Sequence, residues 1–144
     1  MIQWLDHVGV VADDLAAATG FFVELGLELL GGEPVEGSWL DRVVGLDGVR
    51  ADIAVVQTPD GHGRLELTKF HTPPDQDGAD AAPANTPGLR HVAFRVDDIE
   101  AAVAGLRARG TGLVGELVRY EDSYLLCYVR GPEGIIVELT QEIG

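Results

Sequence analysis

The sequence predicts an α+β protein built from two tandem βαβββ units. Residues 5–31 and 89–115 align without a gap at an offset of 84, with ten identical positions. The ends of the two halves match as well, since a Pro-Asp/Glu-Gly turn precedes a Glu-Leu-Thr strand at both 59–68 and 132–140. Strand-like and helix-like hydrophobic spacings follow one another in the same order in each half. The chain is therefore expected to be a duplicated structural unit.

The first unit is predicted in the order strand, helix and three strands. Its first strand covers residues 3–11, after which Asp13 or Asp14 caps a helix that runs to about Leu25. Gly26 then serves as a natural helix stop. The rest of the unit follows, with strands near 27–33, 50–57 and 64–70 and an insertion at 37–48 that is expected to form a short helix or lid.

The second unit repeats this order without the insertion. Its predicted elements are a strand at 89–96, a helix at 98–109, and strands near 112–119, 123–130 and 135–141. Between the units, residues 71–88 have the Pro, Gly and Asp content of a linker. The first module is thus assigned to residues 1–70 and the second to 89–144, and together they make one domain of ordinary size.

The composition and net charge of the chain argue against several classes of partner and location. The formal net charge of −14 repels phosphate backbones, so nucleic acid is an unfavourable partner. No apolar run approaches the length of a membrane span, and the first residues lack a signal-peptide pattern, so a cytoplasmic location is expected. The single cysteine, Cys127, excludes an intrachain disulfide and is expected to be a buried apolar residue.

Two glutamates occupy the same strand context in the two units. In 64–68, Leu65 and Leu67 face the helix, so Glu66 faces the opposite side of the strand. The same alternation places three further side chains on that opposite face: His7, His91 and Glu138. If the two sheets curl together, two imidazoles and two carboxylates converge in one cavity. Unpaired carboxylates there would repel each other, and a divalent cation would remove that cost.

These residues resemble the vicinal oxygen chelate superfamily, which includes glyoxalase I, methylmalonyl-CoA epimerase, extradiol dioxygenases and the fosfomycin and bleomycin resistance proteins. The resemblance covers nearly the whole chain. It is carried by Leu5-Asp6-His7-Val8, Arg90-His91-Val92-Ala93-Phe94, Val96-Asp97-Asp98-Ile99, and the glutamates at 66 and 138. It implies paired βαβββ modules that form a cupped mixed β-sheet with helices on the outer face. It also implies one metal site with His7, Glu66, His91 and Glu138 as ligands, and a homodimer.

The implied activity is that of a glyoxalase-type lyase or isomerase. Two nitrogen and two oxygen ligands suit Ni, Co, Zn, Mn or Fe, and leave positions at which a small substrate with neighbouring oxygens can chelate. The metal acidifies the carbon next to the substrate carbonyl. By resemblance, Glu138 is the expected base, and Glu66 is expected to share the role.

The resemblance leaves the substrate open. The epimerases usually carry Gln where this chain has Glu66, yet residues 87–99 look closer to the epimerase than to glyoxalase I. No segment corresponds clearly to the glutathione-contacting parts of glyoxalase I. Two alternatives also stand: an iron dioxygenase, against which the fourth ligand argues, and a small-molecule binding or resistance protein without turnover.

Several other polar residues have two interpretations each. Arg95 either binds a substrate carboxylate or pairs with a glutamate. Trp39 and Arg42, in the insertion, either line the mouth of the site and contact the substrate or pack a surface helix. His62 and His71 are expected at the surface. The Asp pairs at 13–14 and 97–98 are expected to cap helices rather than to bind metal.

Overall fold

A computed structural model describes residues 1–75 and 81–144, which fall into two compact units, residues 1–78 and 79–144. Part of the predicted linker, 76–80, lies outside the described residues. The first unit contains β1 (Val8–Val11), α1 (Leu15–Leu25), β2 (Glu28–Glu36), α2 (Ser38–Val44), β3 (Arg50–Gln57) and β4 (Arg64–Thr72). The second contains β5 (His91–Arg95), α3 (Ile99–Ala108), β6 (Val118–Tyr120), β7 (Tyr124–Arg130) and β8 (Ile136–Glu142).

Each unit forms one four-stranded mixed sheet with the same topology. The strand order is β1-β4-β3-β2 in the first unit and β5-β8-β7-β6 in the second. In both sheets the first and last strands of the unit pair in parallel, and the remaining pairs are antiparallel. The two sheets and the three α-helices confirm the α+β class and the duplication of the unit.

The long helix of each unit begins at an aspartate, as predicted. The Ala17 N–H donates to Asp14 Oδ1 at 2.9 Å, and the Ala101 N–H donates to Asp98 Oδ1 at 3.0 Å. These side chains satisfy helix donors that have no partner within the helix. At the other end of α1, Gly26 adopts a φ of 114°, a left-handed conformation that suits glycine.

The core of each unit lies between its helix and one face of its sheet. In the first unit Phe22 of α1 and Leu67 of β4 are both 0% exposed, and in the second Ile99 of α3 and Leu139 of β8 are also 0% exposed. Cys127 of β7 is buried among the apolar residues of the second unit, as predicted, and this burial raises the pKa of its thiol. Burial disfavours the thiolate because a charge is poorly solvated there.

The insertion of the first unit is a helix, α2, with a small apolar cluster of its own. Leu40 packs with Val49 and Ala51, and Val35 and Phe70 contact the same cluster. The carboxylate of Asp41 accepts hydrogen bonds from the Gly48 and Val49 N–H groups, at 3.0 and 2.9 Å, and so ties α2 to the start of β3.

Several strand boundaries differ from the prediction. β1 begins at Val8 rather than near residue 3, because β4 begins at Arg64, one residue before the partner of Val8, and leaves little to pair with earlier residues. β2 extends to Glu36, since it is an edge strand and tolerates Pro34. β6 is only three residues long, and the segment before it pairs with β7 through a single bridge, Leu113 to Val129.

No helix in the described part of the chain is long and apolar enough to cross a membrane.

Candidate functional site

His7 and Glu66 lie together on the sheet face away from α1. The parallel register places Gly9 of β1 opposite Glu66 of β4, and His7 lies two residues before Gly9. His7 Nε2 is 3.5 Å from Glu66 Oε2, and the two side chains are 41% and 35% exposed. The structure therefore brings these two predicted ligands together in the first unit, on the expected face.

The other ring nitrogen of His7 contacts a carboxylate. His7 Nδ1 is 2.7 Å from Asp6 Oδ2. An ionised carboxylate only accepts hydrogen bonds, so Nδ1 carries the proton in this contact. In the neutral imidazole the lone pair then belongs to Nε2 and is directed at Glu66. In that tautomer, a proton or a cation between Nε2 and Oε2 would remove the repulsion between the two acceptors.

The second unit places His91 and Glu138 at the corresponding positions of its own sheet. In the parallel register His91 pairs with Ile136 and Ala93 pairs with Glu138, so Ala93 and Glu138 correspond to Gly9 and Glu66. On the other side Glu138 pairs with Tyr128 of β7. The rings of His91 and Tyr128 are in contact, with centroids 5.2 Å apart. His91 and Glu138 thus share one sheet face, and Tyr128 lies beside both.

Arg95 is held by residues of its own unit. Its Nε donates to Thr140 Oγ1 at 2.9 Å, and one terminal nitrogen donates to Glu142 Oε2 at 2.9 Å. The guanidinium also lies over the Tyr124 ring, 5.3 Å from its centroid, in a cation–π contact. Of the two interpretations, the structure shows pairing with a glutamate, and that glutamate is Glu142 rather than the candidate base Glu138.

Trp39 and Arg42 belong to the surface helix α2. The Trp39 side chain is 54% exposed and lies against Gly37, where an added Cβ would approach the indole to 3.0 Å. Arg42 Nε donates to the Ser38 carbonyl oxygen at 3.3 Å, within the helix. Both residues thus make local contacts within the α2 segment.

The remaining histidines lie at the surface, as predicted. His62 is exposed in the turn before β4, where its N–H donates to Asp60 Oδ1 at 3.0 Å. The Thr58 hydroxyl donates to the same oxygen at 2.6 Å, and these bonds lower the pKa of the Asp60 carboxyl. His71 is in β4, not in a linker, and its Nε2 is 2.8 Å from Asp52 Oδ2.

Asp6 and Tyr128 were missed by sequence reasoning. Asp6 was noticed only as part of a motif, because the pattern does not show that its side chain turns toward the neighbouring ring. Tyr128 carried a usable signal. It lies between the buried residues Cys127 and Val129, so alternation alone places it on the face of Glu138.

The donor set of the first unit fits a divalent ion. Two ligand atoms bound to one ion at about 2.1 Å each lie at most about 4.2 Å apart, and the His7–Glu66 separation of 3.5 Å falls within this limit. Neutral imidazole nitrogen and carboxylate oxygen are ligands that Zn, Ni, Co, Mn and Fe accept. Within residues 1–75 and 81–144, no group of three or more His, Cys, Asp or Glu side chains is already gathered as a metal cluster.

The chain thus contains two copies of one four-stranded unit, with a His and a Glu at matching positions of each sheet. The family model described as "Glyoxalase/Bleomycin resistance protein/Dioxygenase superfamily" matches residues 4–139. The chain therefore belongs to this superfamily, known also as the vicinal oxygen chelate superfamily, as the resemblance indicated. Divalent metals are common in the superfamily.

Individual relatives agree with this assignment. A crystal structure of a glyoxalase family protein from Bacillus cereus is 46% identical, with a TM-score of 0.96, and the match covers 100% of this chain and 97% of that one. An uncharacterized protein of Escherichia coli K12, YaeR, is 29% identical over 98% of both chains. An antibiotic-binding protein from a Streptomyces species, TnmS3, shares the fold at 22% identity and a TM-score of 0.62, covering 98% of this chain and 97% of that one.

Proposed function

We propose that the protein is a metal-dependent lyase or isomerase of the glyoxalase type, which moves a proton on the carbon next to a carbonyl. The observation that carries the proposal is the His7–Glu66 pair, whose Nε2 and Oε2 atoms lie 3.5 Å apart on an accessible sheet face. A cation bound between these two atoms would account for an imidazole nitrogen that is directed at a carboxylate.

The proposed metal ligands are His7, Glu66, His91 and Glu138. Support comes from the duplication, since Gly9–Glu66 and Ala93–Glu138 occupy equivalent positions in two sheets of the same topology. Membership of the superfamily supports it too. When bound, a divalent ion would polarise the substrate carbonyl and make the adjacent C–H bond more acidic.

Glu138 is the proposed base. It takes the proton from the acidified carbon onto a carboxylate oxygen, and the C–H electron pair moves toward the carbonyl. The same oxygen then returns the proton to a neighbouring position, so atoms balance and no oxidant is needed. Glu138 is half-buried and pairs in register with Tyr128. Glu66 is proposed to share the proton transfer.

Three residues are proposed to contact the substrate: Arg95, Trp39 and Arg42. Thr140, Glu142 and Tyr124 fix the position of the Arg95 guanidinium, and a substrate carboxylate would replace Glu142 as its partner. The proposal further includes a cytoplasmic homodimer that acts on a small molecule, without nucleic-acid or membrane partners. The net charge of −14 supports the exclusion of nucleic acid.

A substrate panel on metal-loaded protein tests the activity. It contains methylglyoxal with several thiols, 2-methylmalonyl thioesters, and catechols under oxygen, each tried with Ni, Co, Zn, Mn and Fe(II). Turnover of a carbonyl substrate without oxygen uptake is expected. Solvent deuterium should enter the product at the carbon that receives the proton from the base.

The variant Glu138→Gln tests whether Glu138 is the catalytic base or only a metal ligand. General-base removal is expected to lower kcat by about 10²- to 10⁴-fold while some metal binding survives. Unchanged kcat in Glu138→Gln would refute its role as base. Oxygen uptake with catechols would favour the dioxygenase instead. Tight binding of a small molecule without turnover would favour a binding protein, the function that TnmS3 carries on this fold.

A further inference from the structure

We propose that Asp6 is a positioning residue, which orients the His7 ring so that Nε2 is presented to the metal. This inference rests on the proposed function, since it assumes that His7 binds an ion. Its observation is separate, however: the 2.7 Å contact between Asp6 Oδ2 and His7 Nδ1.

The contact fixes the ring in two ways. It keeps the proton on Nδ1, because the carboxylate can only accept, and so leaves Nε2 free to act as a ligand. It also fixes the rotation of the ring, because Nδ1 is held toward Asp6 while Nε2 lies 3.5 Å from Glu66 Oε2. Histidines that bind metals commonly donate their other N–H to a carboxylate, which raises the basicity of the ligand nitrogen.

Residues 81–144 of the second unit do not repeat this carboxylate contact. The residue equivalent to Asp6 at the offset of 84 is Arg90, which cannot accept a hydrogen bond. Within the described residues, Arg90 Nε is itself buried without a hydrogen-bond partner. His91 contacts the Tyr128 ring instead. The two histidines are therefore held differently, and we expect carboxylate assistance at His7 alone.

A role in folding does not explain the Asp6 contact. The Asp6 side chain is 77% exposed and that of His7 is 41% exposed. Ion pairs this accessible are well screened by water and contribute little to folding. A loss of metal affinity in an Asp6 variant would thus be separable from unfolding, which circular dichroism of each variant checks.

The experiment compares Asp6→Ala and Asp6→Asn with the control Asp47→Asn. The control removes the same charge from another exposed position of the first unit. Calorimetry with Zn²⁺ and Ni²⁺ is expected to show affinity about 10- to 100-fold weaker for Asp6→Ala. A smaller loss is expected for Asp6→Asn, whose amide oxygen still accepts from Nδ1, and no loss is expected for the control.

A second readout needs no metal. In the apo protein at pH 8, ¹⁵N chemical shifts of the His7 ring are expected to report the Nδ1–H tautomer in the wild type and in Asp6→Asn. A mixture dominated by the Nε2–H tautomer is expected in Asp6→Ala. In a His7→Ala background, adding Asp6→Ala should not weaken metal binding further, because Asp6 is proposed to affect the metal only through the His7 ring.

The outcomes distinguish the two proposals. If the wild type binds neither ion, the proposed function fails and the inference fails with it. If the wild type binds metal but Asp6→Ala keeps the same affinity and tautomer, the inference alone is overturned. It is also overturned if Asp6→Ala weakens binding equally in the His7→Ala background, since the carboxylate would then act through its charge alone.

Discussion

A bound metal should raise the thermal stability of this protein by an amount that can be worked out. The test adds Zn²⁺ or Ni²⁺ to metal-free protein at 100 times the measured Kd. Binding to the folded state alone then stabilises it by about 2.7 kcal/mol. Unfolding of 144 residues at roughly 2.1 cal/mol/K per residue carries an entropy of about 300 cal/mol/K. The expected rise in Tm is therefore about 9 °C.

Variants of the first unit test, by the same Tm measurement, whether the ion binds at the proposed ligands. His7→Ala and Glu66→Gln each remove one proposed ligand. If a variant weakens Kd by about 100-fold, the same metal concentration only equals its Kd, and the stabilisation falls to about 0.4 kcal/mol, or about 1 °C. Glu28→Gln serves as control, because it removes one exposed carboxylate from β2 and should keep the full rise.

Differential scanning calorimetry measures the shift, and elemental analysis after gel filtration measures the bound metal. Excess chelator should return the Tm to the metal-free value. Equal shifts in the wild type, His7→Ala and Glu66→Gln would refute the reasoning, since the ion would then bind elsewhere. If wild-type protein is still metal-free after loading and its Tm does not change, the metal site itself is refuted.

Three further predictions concern the second unit. Asp98→Ala removes the α3 cap and should cost about 1 kcal/mol of unfolding free energy, read as a lower urea midpoint. Leu139→Ala deletes a side chain that is 0% exposed beside Glu138, and should cost about 2–5 kcal/mol in the same assay. The Cys127 thiol should resist a thiol-directed reagent at pH 8 until the unit unfolds, because burial blocks access and raises its pKa. Rapid labelling of the native protein would contradict that expectation.

The sequence was most informative where side chains alternate regularly along a strand or where a helix begins. Alternation along β4 and β8 correctly separated the buried leucines from Glu66 and Glu138, because adjacent side chains of a strand must point to opposite faces. The caps at Asp14 and Asp98 were also predictable, since a short acceptor before a helical pattern has few other uses.

Features that depend on a partner strand were less predictable. The start of β1 depends on where β4 begins, some 55 residues later in the chain. The residues around β1 do not indicate where that partner strand begins. The shortening of β6 follows from how little of that segment pairs with β7, which its apolar residues do not reveal. Asp6 was missed for a similar reason, because its importance lies in a side-chain rotation rather than in a spacing.

The parallel pairing of first and last strands has a consequence for the order in which the protein is completed. His7 and Glu66 are 59 residues apart in sequence (66 − 7), and His91 and Glu138 are 47 apart (138 − 91), yet the pairing of the first and last strands places both members of each pair on one sheet. Closing such a loop is among the slow events of folding, because its entropy must be lost before the contact contributes. On a ribosome, neither pair can form until the last strand of its unit has emerged. Metal capture by all four proposed ligands would therefore require the last strand of both units to be in place.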